Sequence, residues 1–253
     1  MKKYFVFADV HSFYDELMTA LNNAGFEYDN KDHIIISLGD LCDRGNKSKE
    51  VLEFVNSLPE ERKICIIGNH ELLMEDYIRR GYAFGVDISN GTVKTAIDIS
   101  EENECIEDLQ ENRYWSNYKK TWRYYYEMDN CIFVHGWIPF VHNTAKYTTE
   151  YCKPLPDWRN ASRKQFEDAS WENGMYAWSQ GIREEGKTTF CGHWHASWGH
   201  SHLHNQGVEF PDENKPGQVA IFDPFIDEGI VALDACTAYS HKVNVYTIES
   251  ADE

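Results

Sequence analysis

The chain contains no run of about 18 apolar residues, so no segment reads as a membrane-spanning helix. It is also short of positive charge, with 24 Lys and Arg against 42 Asp and Glu and a formal net charge of −18. That deficit excludes a broad binding face for duplex nucleic acid, because phosphate backbones need a basic footprint. It leaves a small phosphorylated substrate open, since bound cations can reverse the field inside one cleft. The 7 cysteines are odd in number and irregular in spacing, which fits a reducing compartment, the cytoplasm, better than a disulfide framework. The start, Met1-Lys2-Lys3-Tyr4-Phe5-Val6, reaches Asp9 too soon for a signal-peptide core. There is no low-complexity stretch, no internal repeat and no linker dividing the chain. At 253 residues one substantial core can be buried, so the expectation is a single domain over residues 1–253.

What is present is a series of β-branched or aromatic runs that each end in polar side chains. Tyr4-Phe5-Val6-Phe7-Ala8 ends in Asp9-Val10-His11, and His33-Ile34-Ile35-Ile36-Ser37-Leu38 ends in Gly39-Asp40-Leu41-Cys42-Asp43-Arg44-Gly45. Lys63-Ile64-Cys65-Ile66-Ile67 ends in Gly68-Asn69-His70-Glu71, Cys131-Ile132-Phe133-Val134 in His135-Gly136, and Thr188-Thr189-Phe190-Cys191 in Gly192-His193-Trp194-His195. Between the early runs the apolar spacing is helical, with Ser12 as N-cap of a helix to about Ala24, and helices over about 48–58 and 70–80. Alternating elements of this kind predict a largely parallel sheet covered by helices, whose ligands gather beyond the carboxyl ends of the strands.

Residues 82–128 break the pattern, being acidic and then aromatic (Tyr114, Trp115, Tyr118, Trp122, Tyr124, Tyr125, Tyr126), and are expected to be an inserted helical segment over the site. Residues 138–186 are a second expected insertion. Core packing is the plainer explanation of the aromatic group, against stacking on a substrate base or ring. After His195, strands are expected at 219–222, 230–233 and 243–248, in a second, mixed sheet packed on the first.

Asp9, His11, Asp40, Asn69, His135, His193 and His195 form a mixed oxygen and imidazole set with no cysteine in ligand position, which disfavours a structural zinc site. Period-2 geometry would turn Asp9 and His11 to one side of their strand. Seven donors exceed the needs of one ion and suit two if one carboxylate bridges. Such donors suit Mn, Fe, Zn, Ni or Co and do not by themselves choose among them; two divalent ions are expected, with Mn²⁺ the first to test. A lone histidine after a strand is more often packed or hydrogen-bonded than a ligand; the ordered set carries the inference.

That ordered set, Asp9-x-His11, Gly39-Asp40-x-x-Asp43-Arg44-Gly45, Gly68-Asn69-His70-Glu71, His135 and Gly192-His193-x-His195, resembles the calcineurin-like metallophosphoesterase superfamily, and within it the bacterial and phage PPP-type serine/threonine phosphatases. The resemblance implies a four-layer α/β/β/α sandwich of two mixed sheets flanked by helices. It implies one metal held by Asp9, His11, Asp40 and His195, and a second by Asp40, Asn69, His135 and His193, with Asp40 bridging. Arg44 would grip the substrate phosphate with Asn69 nearby, His70 would protonate the leaving oxygen, and Asp43 would orient His70. The implied reaction is attack of a metal-bridging hydroxide on phosphorus of a phosphomonoester, as in a serine/threonine-type protein phosphatase. A symmetrical diadenosine-tetraphosphatase or a phosphodiesterase shares the skeleton and is the alternative; a non-catalytic binding module would have no need of Arg44 and His70.

The sequence departs from that pattern at the second phosphate-binding arginine. Ala177-Trp178-Ser179-Gln180 puts Gln180 there, and Arg183 is the expected substitute. Alternation in His200-Ser201-His202-Leu203-His204 would place three imidazoles on one face, although an exposed polar loop is the plainer reading. Cys42 could be a redox-sensitive thiol; small buried cysteines are more common.

Overall fold

The structure is a computed structural model that describes residues 1–100, 105–141 and 153–250. The chain runs β1 (Lys2–Phe7), α1 (Tyr14–Asn23), β2 (His33–Ser37), α2 (Ser48–Ser57), β3 (Lys63–Ile66), α3 (Asn69–Arg80), α4 (Gly85–Asn90), α5 (Thr92–Ile99), α6 (Arg113–Lys119), β4 (Trp122–Arg123), β5 (Tyr126–Met128) and β6 (Cys131–Phe133). It continues through β7 (Phe140–Val141), β8 (Lys153–Pro154), α7 (Arg163–Ala169), α8 (Gly174–Ser179), β9 (Thr188–Cys191), α9 (Ala196–His202), β10 (Phe225–Asp227), β11 (Ile230–Ala232), α10 (Thr237–Ser240) and β12 (Val245–Ser250).

Two five-stranded sheets result, ordered β12-β1-β2-β3-β4 and β10-β11-β9-β6-β5, and a small β7-β8 pair stands outside them. In the first, β1, β2, β3 and β4 are parallel and β12 is antiparallel. In the second, β6, β9 and β11 are parallel, with antiparallel edges β5 and β10.

Alternation along the strands explains the layering. In β1, Phe5 and Phe7 join Ile35 and Cys65 against α1, α2, α3, α5 and α6, while Tyr4 and Val6 point the other way. The second set meets Ile34, Ile36, Ile64 and Ile66, and across the gap Phe133, Phe190 and Val231 of the second sheet. Phe133 and Phe190 stack with ring centroids 5.0 Å apart. The outer face of the second sheet packs Ile132, Cys191, Phe225 and Ile230 on Trp158, Phe166, Met175 and Ala196. This is the expected α/β/β/α sandwich, with apolar residues removed from water in three separate layers, each large side chain contributing about 1.5–3 kcal/mol.

Local expectations needed correction in four places. Ser12 does not cap α1, whose N-cap is Phe13; Ser12 sits at φ 62° and its hydroxyl meets that of Ser48 at 2.7 Å. Residues 122–128 are not part of a helical insertion: β4 extends the first sheet beside β3, and β5 edges the second beside β6. The span 219–222 forms no strand, and the sheet edge is β10, three residues later. Asp9 and His11 do not share a strand face, because β1 stops at Phe7 and both residues adopt left-handed backbone, at φ 51° and 50°. The aromatic group is largely core: Trp115 and Tyr118 are fully buried behind α2 and α3. Residues 101–104 and 142–152 of the two expected insertions lie outside the described residues.

Candidate metal centre

The parallel strands β1, β2 and β3 of one sheet and β6, β9 and β11 of the other all end on one rim, and the polar side chains fall in the turns after them. Those turns are unusually contorted. Asp9, His11, Ser12, Asp40, Asp43, Arg44 and His193 all have φ between 50° and 74°. Left-handed backbone costs a non-glycine residue on the order of 1–3 kcal/mol and persists only where the surroundings enforce it. Two glycines allow the approach. A Cβ on Gly68 would stand 2.2 Å from Asp40 Oδ1, and one on Gly192 would stand 2.2 Å from Asp9 Oδ2.

Asp40 is the centre of the arrangement. Its Oδ2 lies 3.8 Å from His11 Nε2 and 3.9 Å from His70 Nε2, and its Oδ1 lies 3.5 Å from His135 Nε2. Among the described residues two compact donor clusters result, His11/Asp40/His70 and Asp40/His135/His193, in each of which the ligand atoms lie within 4.8 Å of one another. Asn69 Oδ1 meets both His135 Nε2 and His193 Nδ1 at 2.8 Å. Asp9 is buried beside them and accepts the His193 N–H at 2.9 Å.

The histidines are oriented by carbonyls. His11 Nδ1 donates to the Cys42 carbonyl at 3.0 Å and His135 Nδ1 to the Leu38 carbonyl at 2.7 Å. Each Nε2 is thereby left with its lone pair turned inward, the arrangement that ligating histidines adopt. His135 Nε2 and Asn69 Oδ1, 2.8 Å apart, are then two acceptors with no proton between them. Such a cradle fits a cation.

His195 stands outside both clusters. Its Nδ1 donates to Ser197 Oγ at 3.0 Å, because the Ser197 hydroxyl is itself given to the Glu209 carbonyl, and its Nε2 lies 3.3 Å from Glu209 Oε1.

Electrostatics divides the imidazoles. Burial lowers the pKa of His11 and His135, and brings His193 to about 3 and His195 to about 4, so all four offer lone pairs at neutral pH. His70 goes the other way: burial opposes its charge, but Asp40 and a 2.8 Å hydrogen bond from Nδ1 to Asp43 Oδ2 outweigh burial and raise it. Beside it, Arg44 Nη2 lies 3.4 Å from His70 Nε2. The carboxylates are also sorted. Asp40 is held well below its ordinary value by His135, His70 and His11 in spite of burial, whereas burial and the neighbouring Asp234 and Asp40 charges push Asp9 up.

Other predicted positions lie elsewhere. Arg183 does not reach the rim: Nη1 donates to the Glu228 carbonyl at 3.4 Å, and its guanidinium lies over Trp178. Glu228 precedes β11, so Arg183 sits at the opposite end of the second sheet from His193. Gln180 closes α8 and donates to Ser179. The three later histidines share no face, because His200 and His202 belong to α9. His200 Nε2 reaches the Asp223 carbonyl, His202 stacks on Trp198, and His204 pairs with Asp227 at 2.8 Å.

Sequence reasoning missed four contributors. Asp234 is a buried carboxyl at the end of the β11 run, raised by burial to about 6; the same strand-end rule applied to Ile230–Leu233 would have found it. Glu71 was only part of a motif, yet its carboxylate accepts the backbone N–H groups of Asp40, Leu41 and Gly68 at 2.8–3.0 Å and ties two loops together. Thr92 and Thr95 of α5 hydrogen-bond Asp43, and nothing in their spacing announced it.

Residues 2–215 match the family model described as calcineurin-like phosphoesterase. The chain belongs to that family. It is 47% identical over 68 residues to a symmetrical bis(5'-nucleosyl)-tetraphosphatase of Psychromonas ingrahamii, covering 27% of this chain and 24% of that protein. It is 30% identical over 105 residues to the asymmetrical bis(5'-nucleosyl)-tetraphosphatase PrpE of Bacillus velezensis, covering 39% and 41%. These alignments thus span about a quarter to two fifths of each curated relative. A crystal structure of the cold-active protein-tyrosine phosphatase of a psychrophilic Shewanella superposes with a TM-score of 0.53 at 15% identity, covering 99% of this phosphoesterase chain and 76% of that one. At that identity the likeness concerns the fold.

Proposed function

We propose that this phosphoesterase hydrolyses phosphomonoesters with poor leaving groups, of the serine/threonine-phosphate class, using two divalent cations, Mn²⁺ first among them. The observation that carries this reading is the grouping around Asp40: His11 and His135 turn lone pairs toward it with His193 and Asn69 alongside, and against the same carboxylate stands His70, whose charged form Asp40 and Asp43 favour and which Arg44 flanks. Asp9, His11, Asp40 and His195 would hold one cation, and Asp40, Asn69, His135 and His193 the other. Two such ions, when bound, neutralise charge on the phosphoryl group and lower the pKa of water at the site.

The side chains supply the remainder. Arg44, with its planar, permanently charged fork, grips the equatorial phosphate oxygens. Phosphoryl transfer has a loose transition state, so positioning and charge stabilisation dominate. Water forms the new P–O bond as the old one breaks, and His70 delivers its Nε2 proton to the departing alkoxide. Burial and the Glu71 and Asp43 charges push the Cys42 thiol far above its ordinary pKa, which supports water, and not this cysteine, as nucleophile. We read residues 1–253 as one catalytic domain. Cytoplasmic residence is part of the reading, on the thiols Cys42, Cys65, Cys131, Cys191 and Cys236.

A second reading, hydrolysis of a dinucleoside polyphosphate, is favoured by the names of the two curated relatives. A nucleotide leaving group needs less help from an acid than an alkoxide does, which is why the His70–Asp43 pair supports the monoester first. With Mn²⁺ added, turnover of a phosphothreonine peptide and p-nitrophenyl phosphate, lost in Asp40→Asn, is the expected result. Preference for diadenosine tetraphosphate would replace the substrate, and activity unchanged in Asp40→Asn would remove the reading.

A further inference from the structure

Among the described residues the buried Asp43 carboxylate takes three side-chain donors, of which His70 alone belongs to the motifs described above. The others are hydroxyls of α5: Thr92 Oγ1 donates to Oδ2 and Thr95 Oγ1 to Oδ1, each at 2.8 Å. A hydroxyl has one proton and two acceptor lone pairs. Thr95, having given its proton to Asp43, accepts from the Asp43 N–H at 2.9 Å and from Ser48 Oγ at 3.3 Å. Ser48 has then spent its own proton, so in the 2.7 Å contact with Ser12 Oγ the donor is Ser12. The protons of Ser12, Ser48 and Thr95 all point toward Asp43, and all these residues, with Thr92, are buried. Aligned hydrogen bonds polarise one another.

We infer that Thr92 and Thr95 are positioning residues for the general acid: their hydroxyls fix the rotation of the Asp43 carboxylate so that Oδ2 meets His70 Nδ1. A carboxylate torsion is soft on its own, and a rotated Asp43 would release the imidazole that must aim its other nitrogen at the leaving oxygen. The same segment holds Arg44, whose N–H donates to the Asn90 carbonyl at 3.0 Å. Gly91, at φ 94°, leaves room for this, since a Cβ there would stand 2.5 Å from Arg44 N. The α4–α5 junction thus sets both groups that face the leaving side of the phosphate.

The inference rests on the reading of His70 as that acid, and the test separates the two. With Mn²⁺ added, kcat is measured on p-nitrophenyl phosphate, whose leaving group needs little protonation, and on phenyl phosphate, whose leaving group needs more. The variants are His70→Asn, Thr92→Val and the hydroxyl-restoring Thr92→Ser. Thr92→Val is expected to lose about tenfold more on phenyl phosphate than on p-nitrophenyl phosphate, the scale of one hydrogen bond to a charged group, with Thr92→Ser close to wild type. In the metal-free protein, the downfield proton resonance of His70 Nδ1–H should be absent from His70→Asn, displaced in Thr92→Val and restored in Thr92→Ser. Thr92→Cys, whose thiol is only a weak donor, carries the same test if the valine variant does not fold. Equal losses on both substrates with an unmoved resonance would overturn the inference and leave the acid in place. If His70→Asn itself shows no leaving-group dependence, the acid reading falls and this inference with it.

Discussion

Arg44 Nη2 and His70 Nε2 lie 3.4 Å apart, and whenever His70 carries both ring protons the two are donors. Two donors so close repel unless an acceptor sits between them, and a phosphate oxygen is such an acceptor. Arg44→Ala should therefore lower kcat/KM by about 10³-fold, the lower end for an arginine facing a phosphoryl transition state, and His70→Asn by about 10²-fold or more. Steady-state kinetics on p-nitrophenyl phosphate checks both, and a loss below tenfold in either would separate that residue from the chemistry.

Glu71 offers a pH test. Burial and then the Asp40 charge lift its carboxyl from its ordinary 4.5 to about 7. A carboxyl whose folded pKa is raised binds its proton more tightly in the folded chain. Its contribution to stability is therefore present at low pH and fades as pH climbs from about 4.5 to about 7. Glu71→Gln should melt below wild type, because one amide cannot accept three N–H groups, at a cost of about 1–3 kcal/mol or roughly 2–12 °C. In chelator-treated protein Glu71→Gln should gain on wild type as pH rises from about 4.5 to about 7 and run parallel to it above; calorimetry showing a difference independent of pH would contradict the assignment.

Gly68→Ala should inactivate the protein more than it unfolds it. The new methyl meets Asp40 Oδ1 at 2.2 Å, the Asp40 backbone nitrogen at 2.7 Å and Glu71 Oε2 at 2.8 Å, so the carboxylate and the loop that carries it must both move. Circular dichroism with kinetics is the check: wild-type activity with an intact fold would show that the placement of Asp40 is not critical.

Arg183→Ala should leave kcat and KM within about twofold, the ordinary tolerance of a surface position. Its guanidinium lies over Trp178 at the far end of the sheet, away from Arg44. A rise in KM of tenfold or more would restore it to the substrate site.

How much of this was legible in the sequence follows from which forces are local. The strand runs, α2 and α3 were readable because burial repeats at period 2 or 3.6, and Gly81 closes α3 in left-handed backbone as a C-terminal glycine should. The polar strand ends pointed to Asp40, Asn69, His135 and His193 because parallel strands carry their C-terminal turns to one rim. Ser12 misled because its side chain answers to Ser48, 36 positions away. Residues 122–128 misled because aromatic residues suit a helix face and an edge strand alike. Arg183 misled because lying three residues past Gln180 says nothing of which end of the second sheet a residue occupies. Thr92 and Thr95 were invisible because a hydroxyl's role depends on what faces it.

The donors around Asp40 come from both sheets: Asp40 and Asn69 follow β2 and β3 of one, His135 and His193 follow β6 and β9 of the other. The layer joining those sheets is built from Phe133, Phe190, Ile36 and their neighbours, which hold the two sheets together by apolar contact. An ion seated among these donors would act as a rivet through two plates. Its binding free energy would count as cohesion between the halves of the molecule. With the ion in place, the shared rim would be a mechanical joint as well as a place for chemistry.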